Sequence, residues 1–380
     1  MKGRVQPLSK SFQMFVLVCV MAIAAWGCGG DSNGEGEETP TGASNRDEAG
    51  ARVQNAMEPP EFIPPGGPID VTSLKGKSLW YIAVSLGIPY VADCASGLEE
   101  AAKEVGVEVT TFDGKGQLAE QSKGVELAIA RGADVIVLQA IDPRLIAGPL
   151  EKAGNASIPV IDSGSRDADA PKPETIWGNA EHYGKQYKQL MVDYAIAETE
   201  GDVHGVYLFD PVIEPWIYHG EAMQEELAEL NPSGTLELVE YSLANPQELL
   251  GKVNTTLTRN PEINWIFPAF DGAVVAIIQA MRQADVVGDV RLVGCDGVAA
   301  NLDLVRAGDV QESDIALPAM WFGWAEMDLA ARAMLGEEPT MAIVPFRFVT
   351  AENLPPTNDY DTIMETDFRE EFRKLWGLAQ

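Results

Sequence analysis

The sequence predicts an α/β protein of two similar lobes, each a parallel sheet flanked by helices. Short apolar runs alternate with segments of helical spacing along most of the chain, the pattern of parallel strands covered by crossover helices. The stretch Ile266 to Gly297 forms one complete strand, helix, strand unit, with Asp271 and Asp296 at the ends of successive strands. Two stretches also repeat. RGADVIVLQAIDP (Arg131 to Pro143) and RNPEINWIFPAFDG (Arg259 to Gly272) both set a strand after a helix-ending basic residue and close it on an acid. IPVIDSG (Ile158 to Gly164) and VRLVGCDG (Val290 to Gly297) repeat the strand that follows.

Taken in order, the folded part begins near Lys75. Leu79 to Val84 reads as a strand, Val91 to Val105 as a helix, Val107 to Phe112 as a strand and Leu118 to Arg131 as a helix. Asp134 to Leu138 is a strand, Leu145 to Lys152 a helix and Ile158 to Ile161 a strand. After a loop come Gly184 to Ala197 (helix), Val203 to Phe209 (strand), Trp216 to Leu230 (helix), Leu236 to Tyr241 (strand) and Glu248 to Arg259 (helix). In the next unit Trp265 to Phe267 is the strand, and Ala273, Ile277, Ala280 and Met281 recur at helical spacing. Val290 to Val293 starts the strand that ends at Cys295-Asp296-Gly297. Phe368 to Leu375 is a short amphipathic helix, expected on the second lobe.

Ahead of the folded part, Lys2, Arg4 and Lys10 precede the apolar run Met14 to Trp26, the layout of a secretory signal. The run closes on Ala25-Trp26-Gly27-Cys28, which resembles the lipobox of bacterial lipoproteins and makes Cys28 the lipidation candidate. Cleavage after Ala22-Ile23-Ala24, giving a free secreted protein, is the alternative. Residues 28–74 are rich in Gly, Ser, Glu and Pro and are expected to be a disordered linker.

Composition narrows the function. A formal charge of -31 argues against a nucleic-acid partner. The histidines His182, His204 and His219 form no metal-ligand spacing. Gly30 to Gly34 matches GxSxG without a strand before it or a helix after it, so the nucleophile elbow has no frame. Gly114 to Ala119 matches a dinucleotide fingerprint after the second strand of its unit, with Asp134 opening a strand where the ribose contact must close one. No cofactor is expected. Cys94 falls on the apolar stripe of its helix and reads as a buried thiol, and a disulfide between Cys94 and Cys295 is allowed.

Several segments together resemble one family. Ser85 to Tyr90 forms a polar and aromatic loop after the first strand; GADVIVLQAIDP, the Ile158 to Ile161 strand, the Phe270-Asp271 turn, VGCDG and Met334-Leu335-Gly336 follow in order. In this order and spacing the chain resembles the type I periplasmic binding proteins, the ribose-, galactose- and xylose-type solute-binding components of ABC importers, over about Lys77 to Leu354. The resemblance implies two lobes joined by a three-stranded hinge, with crossings near residues 177–179, 316–318 and 343–345. It divides the chain into a signal peptide (1–27), a lipidated linker (28–74), an N-terminal lobe (75–177 plus 318–343) and a C-terminal lobe (178–317 plus 344–380). It implies an extracytoplasmic, lipid-anchored monomer without enzymatic activity that binds a small sugar-like or cyclic ligand and delivers it to ABC permease subunits. A sensory binding protein for a chemoreceptor or kinase, and an exported hydrolase, are the alternatives.

Carried over by position, the ligand-binding candidates are Tyr90, Asp162, Ser163, Arg166, Trp216, Phe270, Asp271, Asp296 and Trp321, with no metal. Asp271 serves equally well as a helix cap, Trp216 as a core residue, and Asp142 reads as an N-cap before Pro143. Where sugar binders of the family carry arginine or asparagine, this chain has Ile88, Ile217 and Phe270. The expected site is therefore more apolar than a ribose or glucose site, which favours a deoxy or substituted sugar, a cyclic polyol or another ring compound.

Overall fold

The computed structural model describes residues 42–378, apart from 166–172, 183–185, 244 and 309. The leader, Cys28 and Arg166 lie outside the described residues. Among the described residues no helix is long and apolar enough to cross a membrane.

A helix, α1 (Gly42–Met57), comes first, followed by the first lobe: β1 (Ser78–Ala83), α2 (Pro89–Val105), β2 (Glu108–Asp113), α3 (Leu118–Arg131), β3 (Val135–Gln139), α4 (Ala147–Asn155), β4 (Val160–Ser163) and β5 (Gly178–Glu181). The second lobe runs through α5 (Gln186–Glu198), β6 (His204–Phe209), α6 (Glu214–Leu230), β7 (Thr235–Glu240), α7 (Pro246–Arg259), β8 (Trp265–Pro268), α8 (Val274–Ala284), β9 (Arg291–Asp296), α9 (Ala299–Ala307) and β10 (Gln311–Ala316). The chain then returns to the first lobe for α10 (Ala319–Leu335) and β11 (Met341–Ile343), and to the second for β12 (Arg347–Thr350). Helices α11 (Tyr360–Met364) and α12 (Phe368–Leu375) close it.

The sheets have the orders β11-β5-β4-β3-β1-β2 and β12-β10-β9-β8-β6-β7. Leaving out the edge strands β11 and β12, each lobe reads 2-1-3-4-5 in its own strands, so the repeats seen in the sequence occupy matching places. Pairing is parallel throughout except β10 with β12. Apolar clusters cover both faces of each sheet. In the first lobe α2 and α10 cross at two glycines: a Cβ on Gly323 would stand 2.2 Å from the Cys94 carbonyl, and one on Gly97 would stand 2.4 Å from that of Met320. Neither helix can carry a side chain there.

Three expectations change. Residues 42–74 are ordered, not a disordered linker. Helix α1 buries Ala49 and Val53 against α5 and α6 of the second lobe, and Arg52 binds the Asp193 carboxylate through Nε at 2.9 Å. The following segment crosses to the first lobe, where Phe62 stacks on Trp321 (5.6 Å) and Ile69 N–H donates to Leu375 O. Residues 178–181 belong to the first lobe, because β5 pairs with β4 and β11. Helix α12 also packs on the first lobe: Phe368 stacks on Trp321 and Trp376 on Trp324. Its apolar face matches the aromatic surface of α10.

Candidate functional site

In a doubly wound sheet the groove outside the carboxyl ends of the strands, where the strand order reverses, is the natural ligand site. Here two such edges face each other. Between them lies a cavity of about 120 Å³ lined from both lobes.

The first lobe contributes Tyr90 at the start of α2, Gln139 at the end of β3, Gly164 after β4, Glu181 at the end of β5, His182 just after it, and Phe322 from α10. A hydrogen-bond chain fixes the orientation of one ring. His182 Nδ1 lies 2.8 Å from the Val344 carbonyl, which only accepts, so Nδ1 carries the proton and Nε2 is the acceptor. Tyr90 O–H therefore donates to His182 Nε2 at 2.7 Å. Burial lowers the His182 imidazole to about 4, and the bond to Val344 offsets this in part, so the ring is neutral near pH 7.

From the second lobe come Tyr187, Ile213, Trp216, His219, Phe270 and Asp296. Trp216 and Phe270 stack at 5.3 Å and 15°, forming one aromatic wall. Burial, and then the charge of Lys188, push the His219 imidazole well below its ordinary range. Among the described residues the buried Gln139 Oε1 and His219 Nδ1 have no hydrogen-bond partner. Asp296 closes β9 with φ at 137°, a strained backbone for a residue with a side chain. Burial and then the neighbouring Asp271 raise its carboxyl well above the usual range, while Lys188 opposes this. Lys188 is itself fully buried and donates to the Ala269 carbonyl at 2.8 Å.

Of the residues expected at the site, Tyr90, Trp216, Phe270 and Asp296 meet at the cavity. The others whose positions are described do not line it. Asp162 accepts a hydrogen bond from Ser165, and Ser163 donates to the buried Glu326 on α10. Asp271 turns inward: its carboxylate accepts the amides of Cys295 at 3.0 Å and Val298 at 2.9 Å, neither capping its own helix nor facing the cleft. Trp321 lies in the first-lobe core between Phe62 and Phe368, and its neighbour Phe322 faces the cleft instead. Asp142 is an N-cap, accepting from Arg144 N–H at 2.9 Å. Cys94 and Cys295 are free and buried in separate cores.

Residues missed in the sequence include His182, His219, Gln139 and Phe322. His219 lies three residues after Trp216 on α6, hence on the same helix face, and Gln139 ends a strand inside the repeated motif. At the mouth Arg144 from the first lobe forms an ion pair with Glu214 from the second. Among the described residues no group of His, Cys, Asp or Glu is placed to hold a metal ion.

Two doubly wound lobes with a lined cavity between their strand ends define a two-lobed binding-protein fold. The chain belongs to the periplasmic binding protein family, whose domain matches residues 81–338. It is 22% identical to the ABC transporter periplasmic-binding protein YphF of Escherichia coli K12 over 54% of this chain and 65% of that one. The chain thus spans just under two thirds of that relative's length. It is 20% identical to the ribose import binding protein RbsB of the same organism over 71% of this chain and 89% of that one. Among solved structures it is similar to the Caulobacter myo-inositol binding protein bound to myo-inositol, with a TM-score of 0.67 at 17% identity, covering 77% of this chain and 97% of that one.

Proposed function

We propose that this protein is the solute-binding component of an ABC importer and that it takes one sugar, polyol or similarly sized ring compound between its lobes. The carrying observation is the placement of Asp296 and the Trp216–Phe270 wall on one side of a single cavity and the Tyr90–His182 pair on the other. A buried carboxyl group exchanges hydrogen bonds with ligand hydroxyls in either protonation state, and stacked aromatic faces take the C–H face of a ring. A cavity of about 120 Å³ is of the size class that one six-membered ring fills. Ile88 and Phe270 in the lining favour a ligand with an apolar face. Relatives fit this reading: one is a ribose import binding protein, and similar structures carry myo-inositol or allitol.

The leader and Cys28 support export and lipid anchoring, with the folded body held at the outer face of the cytoplasmic membrane or in the periplasm. Partition into the detergent phase is expected to be lost in Cys28→Ala.

The deciding experiment is a thermal-shift screen of the intact protein against monosaccharides, deoxysugars, cyclitols and linear polyols, followed by calorimetry. A ligand at 100 times its Kd stabilises the folded state by about 2.7 kcal/mol. Stabilisation by no compound of these classes overturns the reading. Asp296→Ala is expected to weaken binding tenfold or more, about 1.4 kcal/mol, with the melting temperature nearly unchanged.

A further inference from the structure

The amides of the turn that carries Asp296 are held by carboxylates. Cys295 N–H donates to Asp271 Oδ1 at 3.0 Å, Val298 N–H to Asp271 Oδ2 at 2.9 Å, and Gly297 N–H to Asp314 Oδ1 at 3.0 Å. Asp314 Oδ2 accepts from Gln311 Nε2 at 2.7 Å, and Asn301 Nδ2 reaches Gln311 Oε1 at 3.1 Å. These atoms converge on Gly294. A Cβ there would stand 2.0 Å from Gln311 Nε2, 2.5 Å from Asp314 Oδ2 and 2.8 Å from Asp271 Oδ1. The carboxyls of Asp271 and Asp314 thus adjoin, each turning one oxygen to the same point beside Gly294. Two ionised carboxylates adjoining in a buried site repel each other, and one proton shared between them relieves the repulsion.

We infer that Asp271 and Asp314 are positioning residues, a carboxyl pair joined by one shared proton that grips the amides of residues 295–298 and so aims Asp296 into the cleft. Its effect on affinity rests on the reading of Asp296 as a ligand residue; its effect on the turn does not. The pair accounts for a backbone that needs outside support, because Asp296 sits at φ 137° and Gly297 at φ 73°. Both carboxyls are buried at 1% exposure or less. Facing them are Asp296 and Cys295 from β9, Lys188 from α5 and Tyr360 from α11. Burial raises the Asp271 carboxyl to about 6, and burial together with Asp271 raises that of Asp314 well above the usual range. Removing the shared proton at alkaline pH leaves two adjoining buried negative charges, and their repulsion opens the grip.

Hydrogen–deuterium exchange of the intact protein, read on the amides of residues 295, 297 and 298 and corrected for intrinsic pH dependence, tests this directly. In the native chain, protection of these amides is expected to fall as pH rises above neutral. Asp314→Asn, whose amide keeps a permanent donor toward Asp271 and the oxygen that holds Gly297 N–H while giving up the bond from Gln311 Nε2, is expected to hold protection constant with pH. Asp314→Ala is expected to lose about tenfold in protection at every pH. Equal pH dependence in the native chain and Asp314→Asn, with both folded by circular dichroism, overturns the pair. So does native protection in a folded Asp314→Ala. If the alanine variant does not fold, the comparison of Asp with Asn still decides. Calorimetry with myo-inositol and D-allose forms the second arm: Asp314→Asn is expected to bind like the native chain at neutral pH and to keep its affinity at alkaline pH, where the native chain weakens. If neither compound binds the native chain, the proposed ligand class loses its support while the exchange result still decides the pair.

Discussion

In the first lobe the cleft is faced by neutral rings and braced through the hinge: Tyr90 donates to His182, and His182 donates to the Val344 carbonyl between β11 and β12. In the second lobe the matching edge carries an acid, Asp296, on a strained turn gripped by two further carboxyl groups, with Lys188 buried beside them. The strand order is the same in both. What differs is the source of rigidity, a hydrogen-bonded chain of neutral groups on one side and shared protons among buried acids on the other. His182 and the Asp271 carboxyl therefore respond with opposite sign to pH, and the two tryptophans offered by the sequence divide between core and cleft.

The largest test of this contrast sets Trp321 against Trp216. Trp321→Ala removes the middle ring of the Phe62–Trp321–Phe368 stack and is expected to cost about 4 kcal/mol of stability in denaturant melts, with ligand affinity unchanged in the folded fraction. Trp216→Ala is expected to do the reverse, weakening binding while costing much less stability. Equal stability losses would remove the division between core and cleft.

A smaller effect comes from His182. Its imidazole titrates at about 4 in the folded protein, against about 6.5 unfolded. Between those values the unfolded chain takes up a proton that the folded one refuses, so the His182 contribution is complete above about pH 6.5 and is lost as pH falls toward 4. His219 acts with the same sign. Asp271, raised to about 6, acts oppositely: its contribution is complete below the unfolded carboxylate value of about 3.9 and is lost as pH rises through 6. Melts of His182→Gln from pH 7 to 4 are expected to lose less stability on acidification than the native chain, by about 3 kcal/mol. An unchanged slope would assign the acid response elsewhere.

The smallest effect belongs to the rim. Arg144→Gln removes a pairing with Glu214 that joins the lobes at an arginine more than half exposed. Surface pairs of this kind contribute less than about 1 kcal/mol, so the melting temperature is expected to move little. A large loss of stability would place the pair among the interactions that hold the two lobes together.

Legibility in the sequence follows the same physical division. The strand ends of the second lobe were readable because Asp271 and Asp296 each follow an apolar run and break it, and the repeat in the first lobe confirmed the period. The roles of those acids were not readable: both stand at strand ends, and only the fold shows that Asp271 turns toward the amides of β9. Strand β5, Gly-Asn-Ala-Glu, has no apolar alternation, and its place comes from pairing with β4 and β11. Helix α1 offers little apolar surface beyond Ala49 and Val53; its order comes from docking on α5, and a short helix is marginal without such a partner. Phe322 and Trp321 are adjacent on α10, a helix buried on nearly all sides, so its sequence could not say which ring faces the cleft.

The ordered N-terminal segment also bears on how the molecule comes apart. Its helix sits on the second lobe, its Phe62 and Ile69 sit on the first, and the C-terminal tail likewise runs from β12 to the aromatic surface of α10. The two crossing segments also bond to each other: Arg347 Nε donates to Met57 O at 2.8 Å, and Thr366 Oγ1 donates to Pro60 O at 3.0 Å. Neither lobe can melt without stripping these strands of chain from the other, so denaturation becomes a single cooperative event.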